Sequence, residues 1–219
     1  MIAWLLVAHL VVLGYWLGSE LVINSTFRYV CRAENTPFNE RARLMNHVMD
    51  ADQHVRYALA LQFTLGVMIS SIYGFVPGEN RTAVGAAVAG IAWLMLIEAA
   101  HRLRNGNIGR RLATADRALR YASIIVLLAV ALQLLGGDWA VPTWLRWKLG
   151  AFAAIVACGV GIRLALIAFF RTWTEMATSG VTPERNATVK RIYVRATSIL
   201  VALWFLIAAV VYLSVEKPG

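Results

Sequence analysis

Ile2-Ala-Trp-Leu-Leu-Val-Ala-His9-Leu-Val-Val-Leu-Gly-Tyr-Trp16-Leu-Gly-Ser-Glu20-Leu-Val-Ile23 decides the fold. The hydrocarbon core of a bilayer is about 30 Å thick, and a helix crosses it in about 20 predominantly apolar residues. This stretch has that length and holds one histidine and one carboxylate. Residues 54–76, 82–100, 119–136, 144–170 and 192–215 have the same character. None of them alternates as barrel strands do, and lipid leaves no partner for an open sheet edge. The chain is therefore expected to be all-α: one polytopic membrane domain over residues 1–219 with six transmembrane helices.

Composition agrees with this. Apolar residues make up 59% of the 219 and charged residues 15%, with a mean hydropathy of +0.63. Soluble domains run at roughly 45–50% and about 25%. A soluble enzyme of this size could not hide so much apolar surface.

The formal charge of +9 has a topological reading. Arg28, Arg32, Arg41 and Arg43 lie in the first loop. The third holds Arg102, Arg104, Arg110, Arg111, Arg117 and Arg120. Arg171, Arg185, Lys190, Arg191 and Arg195 lie in the fifth. These are most of the 21 basic residues. The positive-inside rule then puts both termini outside and these loops in the cytoplasm, against anionic headgroups rather than nucleic acid.

Met1-Ile-Ala-Trp has no basic segment before its apolar run, and that run exceeds a signal peptide's, so the first span is expected to be retained. Cys31 and Cys158 form no CxxC and support neither a disulfide nor a zinc ribbon. Thr36-Pro37 reads as a helix start, giving a cytoplasmic helical extension over residues 37–53 that runs on into the second span. Short outer turns at residues 77–81 and 137–143 make consecutive helices antiparallel neighbours. Gly14-x3-Gly18, the ladder Gly150, Ala154, Cys158, and Ala157-x3-Gly161 fit close helix packing. No repeat links the two halves.

Charge at membrane depth costs several kcal/mol unless paired or hydrated, on the order of the handicap that marks functional residues. His9 and Lys148 lie in the outer third. Glu20, His54, Arg56, Glu98, His101 and Arg163 lie toward the cytoplasmic side. At about 100° per residue, His9, Leu13, Trp16 and Glu20 share one face, which should turn into the bundle. A neutral imidazole such as His9 can ligate haem iron or bond a neighbouring carbonyl. His54 and His101 could clamp one iron, with Glu98 orienting His101. His47, Asp50 and His54, at offsets of 3 and 7, could instead bind a divalent metal, or all of these could be interfacial groups reaching water. Arg56 and Arg163 are expected to neutralise Glu20 or Glu98, or haem propionates. Lys148 could equally snorkel to the outer headgroups. P-loop, GxGxxG and HExxH motifs are absent. Met45 and Met49 form a single Met-x3-Met pair, too little for a copper path.

The run Ala8-His-Leu-Val-Val-Leu-Gly-Tyr-Trp-Leu-Gly18 and the stretch Trp144-Leu-Arg-Trp-Lys148-Leu149 resemble the HemJ and CopD-like membrane families. The HemJ resemblance implies His9 as a haem b ligand within the motif that carries Trp16. It also implies Lys148 as a catalytic or propionate-binding group, in a reaction that oxidises protoporphyrinogen IX. The CopD-like resemblance implies copper uptake across the inner membrane. Together with the residues above, the expectation is a multi-pass haem b protein of the bacterial inner membrane. It would act in electron transfer or in oxidation of a porphyrin-like or quinone-linked substrate. A copper permease or accessory protein, and a structural subunit of a membrane complex or homo-oligomer, are the alternatives.

Overall fold

A computed structural model describes residues 2–104 and 106–218. Among them are six helices and no strand: α1 Ile2–Arg32, α2 Phe38–Ile72, α3 Glu79–Arg102, α4 Asn107–Ala131, α5 Thr143–Ser179 and α6 Pro183–Glu216. All but α4 are long and apolar enough to cross a membrane, and the chain is a multi-pass membrane protein of helical class. The exception has a physical cause. Arg110, Arg111, Asp116, Arg117 and Arg120 crowd the first half of α4, and the helix ends at Ala131 rather than continuing to residue 136. Gln133 at φ 57° and Gly136 at φ 72° turn the chain there, and the ring of Trp139 fills the space a Cβ on Gly136 would need.

Most helices extend well beyond their apolar runs. α2 begins at Phe38 and reaches Ile72 unbroken, so the expected extension and span are one rod. Pro37 takes the cap position, one residue before the helix proper, instead of the first helical position. At the start of α6, Thr182 is the cap and its hydroxyl accepts the Arg185 N–H (3.3 Å), with Pro183 as the first helical residue.

Each helix packs on its neighbours in sequence, and α6 returns to α1, closing a ring. Side-chain packing is uneven around it. At the arginine-rich end, Phe27, Cys31, Met45, Phe169, Trp173 and Tyr193 bind α1, α2, α5 and α6 into one cluster. Midway along the bundle, Trp16, Leu59, Ile155 and Leu203 tie the same four helices together. The α3–α4 pair hangs on this four-helix core through smaller contacts, chiefly Ala60, Trp93 and Ile97.

Arg41 pins the arginine-rich end. It is fully buried, its Nε donates to the Val30 carbonyl (3.0 Å), and its Nη1 donates to Asn186 Oδ1 (3.1 Å). Its guanidinium lies 5.4 Å from the centre of the Trp173 ring. One side chain thus joins α1, α2, α5 and α6.

The small-residue patterns divide. Gly150 lies against Ala131, and a Cβ on Gly161 would sit 3.4 Å from Ile199. Gly14 and Gly18 face nothing within 4 Å, so the expected contact there is not made. A tight contact between helices lies elsewhere, at Gly90, where a Cβ would collide with the side chain of Thr64 on α2.

Two outcomes follow, both read by thermal unfolding of the purified protein. Gly90→Ala should destabilise by about 1–3 kcal/mol because β-branched Thr64 cannot swing away, whereas Gly14→Ala should be neutral. Arg41→Lys should lower stability by about 1.5–3 kcal/mol, since an ammonium cannot hold the Val30 and Asn186 oxygens in the guanidinium's planar geometry.

Candidate functional site

The wide part of the ring, between the four-helix core and the α3–α4 pair, encloses a cavity of about 400 Å³ at the arginine-rich end. Its deep wall is apolar: Trp16, Leu59, Ile155, Val156 and Leu203. Nearer the end of the bundle the lining turns polar, with Glu20, Asp52, Arg56, His101, Asp116 and Arg163. Arg104, Arg110, Arg117 and Arg120 surround it further.

Helical periodicity aims these groups inward. The face expected on α1 does turn into the bundle: Trp16 and Glu20 are buried, and Trp16 Nε1 donates to Glu20 Oε1 at 3.3 Å. Asn24, one turn further on, accepts from Thr197 of α6 at 3.2 Å. On α2, Arg56 holds Asp52 through two bonds, of 2.7 and 3.0 Å. On α4, Arg120 Nε holds Asp116 at 3.0 Å, and the other oxygen of Asp116 accepts from Trp93 Nε1 of α3 at 2.9 Å. Both ion pairs place the carboxylate one turn before the arginine, the more favourable order on a helix.

The expected charge partners therefore change. Arg56 pairs with Asp52, and Glu98 bonds Tyr57 and Arg102 on the other side of α3. Neither meets the other. Arg163 lines the same cavity as Glu20 but has no hydrogen-bond or ion-pair partner among the described residues, and the same holds for Arg117. With Asp52 and Asp116 committed, the cavity retains an excess of positive charge.

The histidines are dispersed. His101 lines the cavity beside Arg104, which reaches Asp50 at 3.7 Å. His54 is on the outer surface, where Nδ1 pairs with the Tyr15 hydroxyl at 2.5 Å and the Tyr57 ring stands perpendicular to it. Tyr15 and Tyr57 line a groove on that outer side, away from His101, so the two imidazoles do not form the expected clamp. His47, Asp50 and His54 do share an exposed face of α2. Asp50 and His54 are engaged as described, and no three His, Cys, Asp or Glu side chains gather into a metal-holding group among the described residues.

His9 belongs to a second polar group, toward the opposite end. Gln62 Nε2 of α2 donates to the His9 carbonyl at 3.0 Å, and Lys148 of α5 comes within electrostatic range of the ring. His9 Nδ1 and Gln62 Oε1 are both buried without a partner. Gly66 faces the imidazole, where a Cβ would lie 4.0 Å from Cε1. Lys148 and Arg163 are fifteen residues apart on α5, about 22 Å at the helical rise. Arg163 thus belongs to a different tier from His9, and Arg56 is tied to Asp52, so neither is placed to hold propionates of a group bound at His9.

Asp52, Asp116, Arg110, Arg117 and Arg120 escaped sequence reasoning, which counted the arginines only as topology signals. The two i, i+4 pairs were the available clue: each places a carboxylate at the depth of its arginine. No family model, no curated protein and no solved structure matches the chain.

If water fills this cavity, a cysteine on its wall will react with a charged, water-soluble thiol reagent. In a Cys31→Ala, Cys158→Ala background, Ala113→Cys on the α4 wall is expected to label rapidly. Val88→Cys, on the outward side of α3 at 63% exposure, is expected to stay unlabelled in a bilayer. Equal labelling of the two would contradict a hydrated cavity.

Proposed function

We propose that the chain is a six-span protein of the bacterial inner membrane, with both termini outside, whose cavity opens to the cytoplasm and binds an amphiphilic anion. The ligand class combines an apolar body with a carboxylate or phosphate head. One observation carries the reading: Arg163, a cation within an apolar helix that has no partner among the described residues, lines a cavity whose deep wall is aromatic and aliphatic. A guanidinium in that setting gains a charge-assisted hydrogen bond from an acidic head, and the wall removes an apolar body from water. The sixth crossing is α4, whose charged half borders the hydrated cavity while its apolar half completes the span.

The test uses protein in a non-ionic detergent. Dodecyl phosphate should raise the unfolding temperature, because a ligand bound only by the native state stabilises it by mass action. Dodecyltrimethylammonium should not. Arg163→Gln combined with Arg117→Gln should remove the effect. Equal responses to the two amphiphiles would overturn the reading.

A second reading is favoured by His9. Its Nδ1 is buried and unpartnered beside a glycine, an arrangement that fits an imidazole kept for coordination rather than one bonded to a carbonyl. His9 would hold the iron of haem b, Gln62 would fix the backbone at that turn, and Lys148 would supply a cation at the same depth. Haem b bound there supplies one-electron chemistry, and the electron-transfer or oxidase role suggested by the HemJ resemblance rests on this second reading. Purified protein should then show a Soret band that His9→Ala abolishes and Arg163→Gln leaves intact. Colourless protein from haem-replete cells would overturn it.

A further inference from the structure

The cavity opens sideways as well as toward the end of the bundle. At the end opposite the arginine-rich one, α4 and α5 are in contact: Arg146 Nε donates to the Ala131 carbonyl at 3.1 Å and Gly150 lies against Ala131. Midway, Ile124 still packs into the cluster around Trp16 and Ile155. Beyond Ile124 both helices line the cavity, with Arg117, Arg120 and Tyr121 on α4 facing Arg163, Leu164 and Ile167 on α5.

Three of these residues carry the argument. Leu164 is 61% exposed, Ile167 49% and Tyr121 45%, although all three line the cavity. A side chain that borders an internal space and is also that exposed marks the rim of an opening. With α4 as the sixth crossing proposed above, an opening between its flank and that of α5 faces lipid rather than water. Aromatic and aliphatic side chains on that rim suit hydrocarbon.

The polar side of the rim is prepared for an acceptor. Arg120 uses Nε on Asp116, but its Nη2 is buried with no partner, a guanidinium N–H with nothing to donate to. Arg117 and Arg163 have no carboxylate partner among the described residues. Arg163 lies seven residues before Phe170, where the apolar run ends, or about 10 Å of helix. A headgroup reaching it must sink below the level of its neighbours, and only a gap in the helix wall would let its chains follow.

We propose that the α4–α5 wedge is a lateral portal for an anionic lipid-like amphiphile of the adjoining leaflet. Its phosphate or carboxylate sits on Arg163, Arg117 and Arg120, and its chains pass between Tyr121, Leu164 and Ile167 into the bilayer. This deepens the cavity reading above and rests on it: it names the source of the ligand as the membrane rather than the aqueous phase.

Native mass spectrometry of the detergent-purified chain tests the portal, with dioleoylphosphatidylglycerol and dioleoylphosphatidylcholine as probes. The anionic lipid should be retained about tenfold better, the scale expected from a charge-assisted hydrogen bond. Arg163→Gln with Arg117→Gln should erase that preference. Leu164→Trp, on an exposed position that tolerates bulk, should obstruct the wedge and cut retention of the anionic lipid. It should leave stabilisation by inorganic phosphate, which enters through the open end, unchanged. Ile167→Trp provides an independent obstruction should Leu164→Trp fold poorly. Equal retention of both lipids, or anionic-lipid retention untouched by either tryptophan, would overturn the portal. If phosphate and dodecyl phosphate still stabilise the protein in that case, the cavity reading stands. If neither stabilises it, both readings fall together.

Discussion

A charge carried into hydrocarbon must find a counter-charge or water, and this constraint shapes the bundle at its arginine-rich end. Two carboxylates meet it locally, Asp52 with Arg56 and Asp116 with Arg120, each within one helical turn. Arg163 and Arg117 have no such partner among the described residues, and both line the cavity. On the reading proposed above the cavity is part of the electrostatic solution, because water or an anion within it would lower the cost of the remaining charge. The charged half of α4 becomes intelligible on the same terms. That half is too polar for lipid on all sides, yet it is well suited to border an aqueous space on one side.

Packing decides where such a space can exist. Arg41 and the aromatic cluster around Phe169 and Trp173 hold α1, α2, α5 and α6 together at the arginine-rich end. Among the described residues no comparable cluster ties α4 to α5 there; their contacts lie midway, at Ile124, and at the opposite end, around Ala131. The α3–α4 pair is instead held on α2, by the tight Gly90–Thr64 approach and by Gln53, which donates to the Ile97 carbonyl at 3.2 Å. Firm attachment on one flank, and contact on the other that runs from the Ala131 end only as far as Ile124, leave a wedge at the arginine-rich end.

Hydropathy made the helices legible because burial in lipid demands a continuous apolar run, and periodicity made the inward face of α1 legible because Trp16 and Glu20 follow His9 at helical spacing. What stayed hidden depends on which helices become neighbours. Trp93 and Asp116 are 23 residues apart and Arg41 and Asn186 are 145 apart, so nothing local announces either bond. The Gly14–Gly18 pattern matched a packing motif but faces no neighbour, while Gly90, in the equally common pattern Ala86-x3-Gly90 that sequence reasoning passed over, is pressed against Thr64. Likewise His54, midway along α2, and His101, in the last turn of α3, read from the apolar runs alone as neighbours at the inner ends of adjacent spans. A rotation about α2 and α3 separates them, sending one to the outer groove and the other to the cavity.

The polar residues therefore form two tiers, and their separation limits what any one ligand can do. His9, Gln62 and Lys148 occupy one tier; Glu20 and the arginines occupy the other, about 22 Å away along α5 as measured from Lys148 to Arg163. Between them lies the layer of Trp16, Leu59, Ile155 and Leu203. On the second reading proposed above, a group coordinated at His9 would draw its charge compensation from Lys148 and not from the arginines. An anion in the cavity is in turn out of reach of the His9 imidazole. Trp16 borders the cavity with its ring and bonds Glu20 with its indole N–H, so it is the side chain through which occupancy of the arginine tier would first be felt by the apolar layer. Any coupling between the tiers has to pass through the packing of that layer, because no hydrogen-bonded chain among the described residues bridges it.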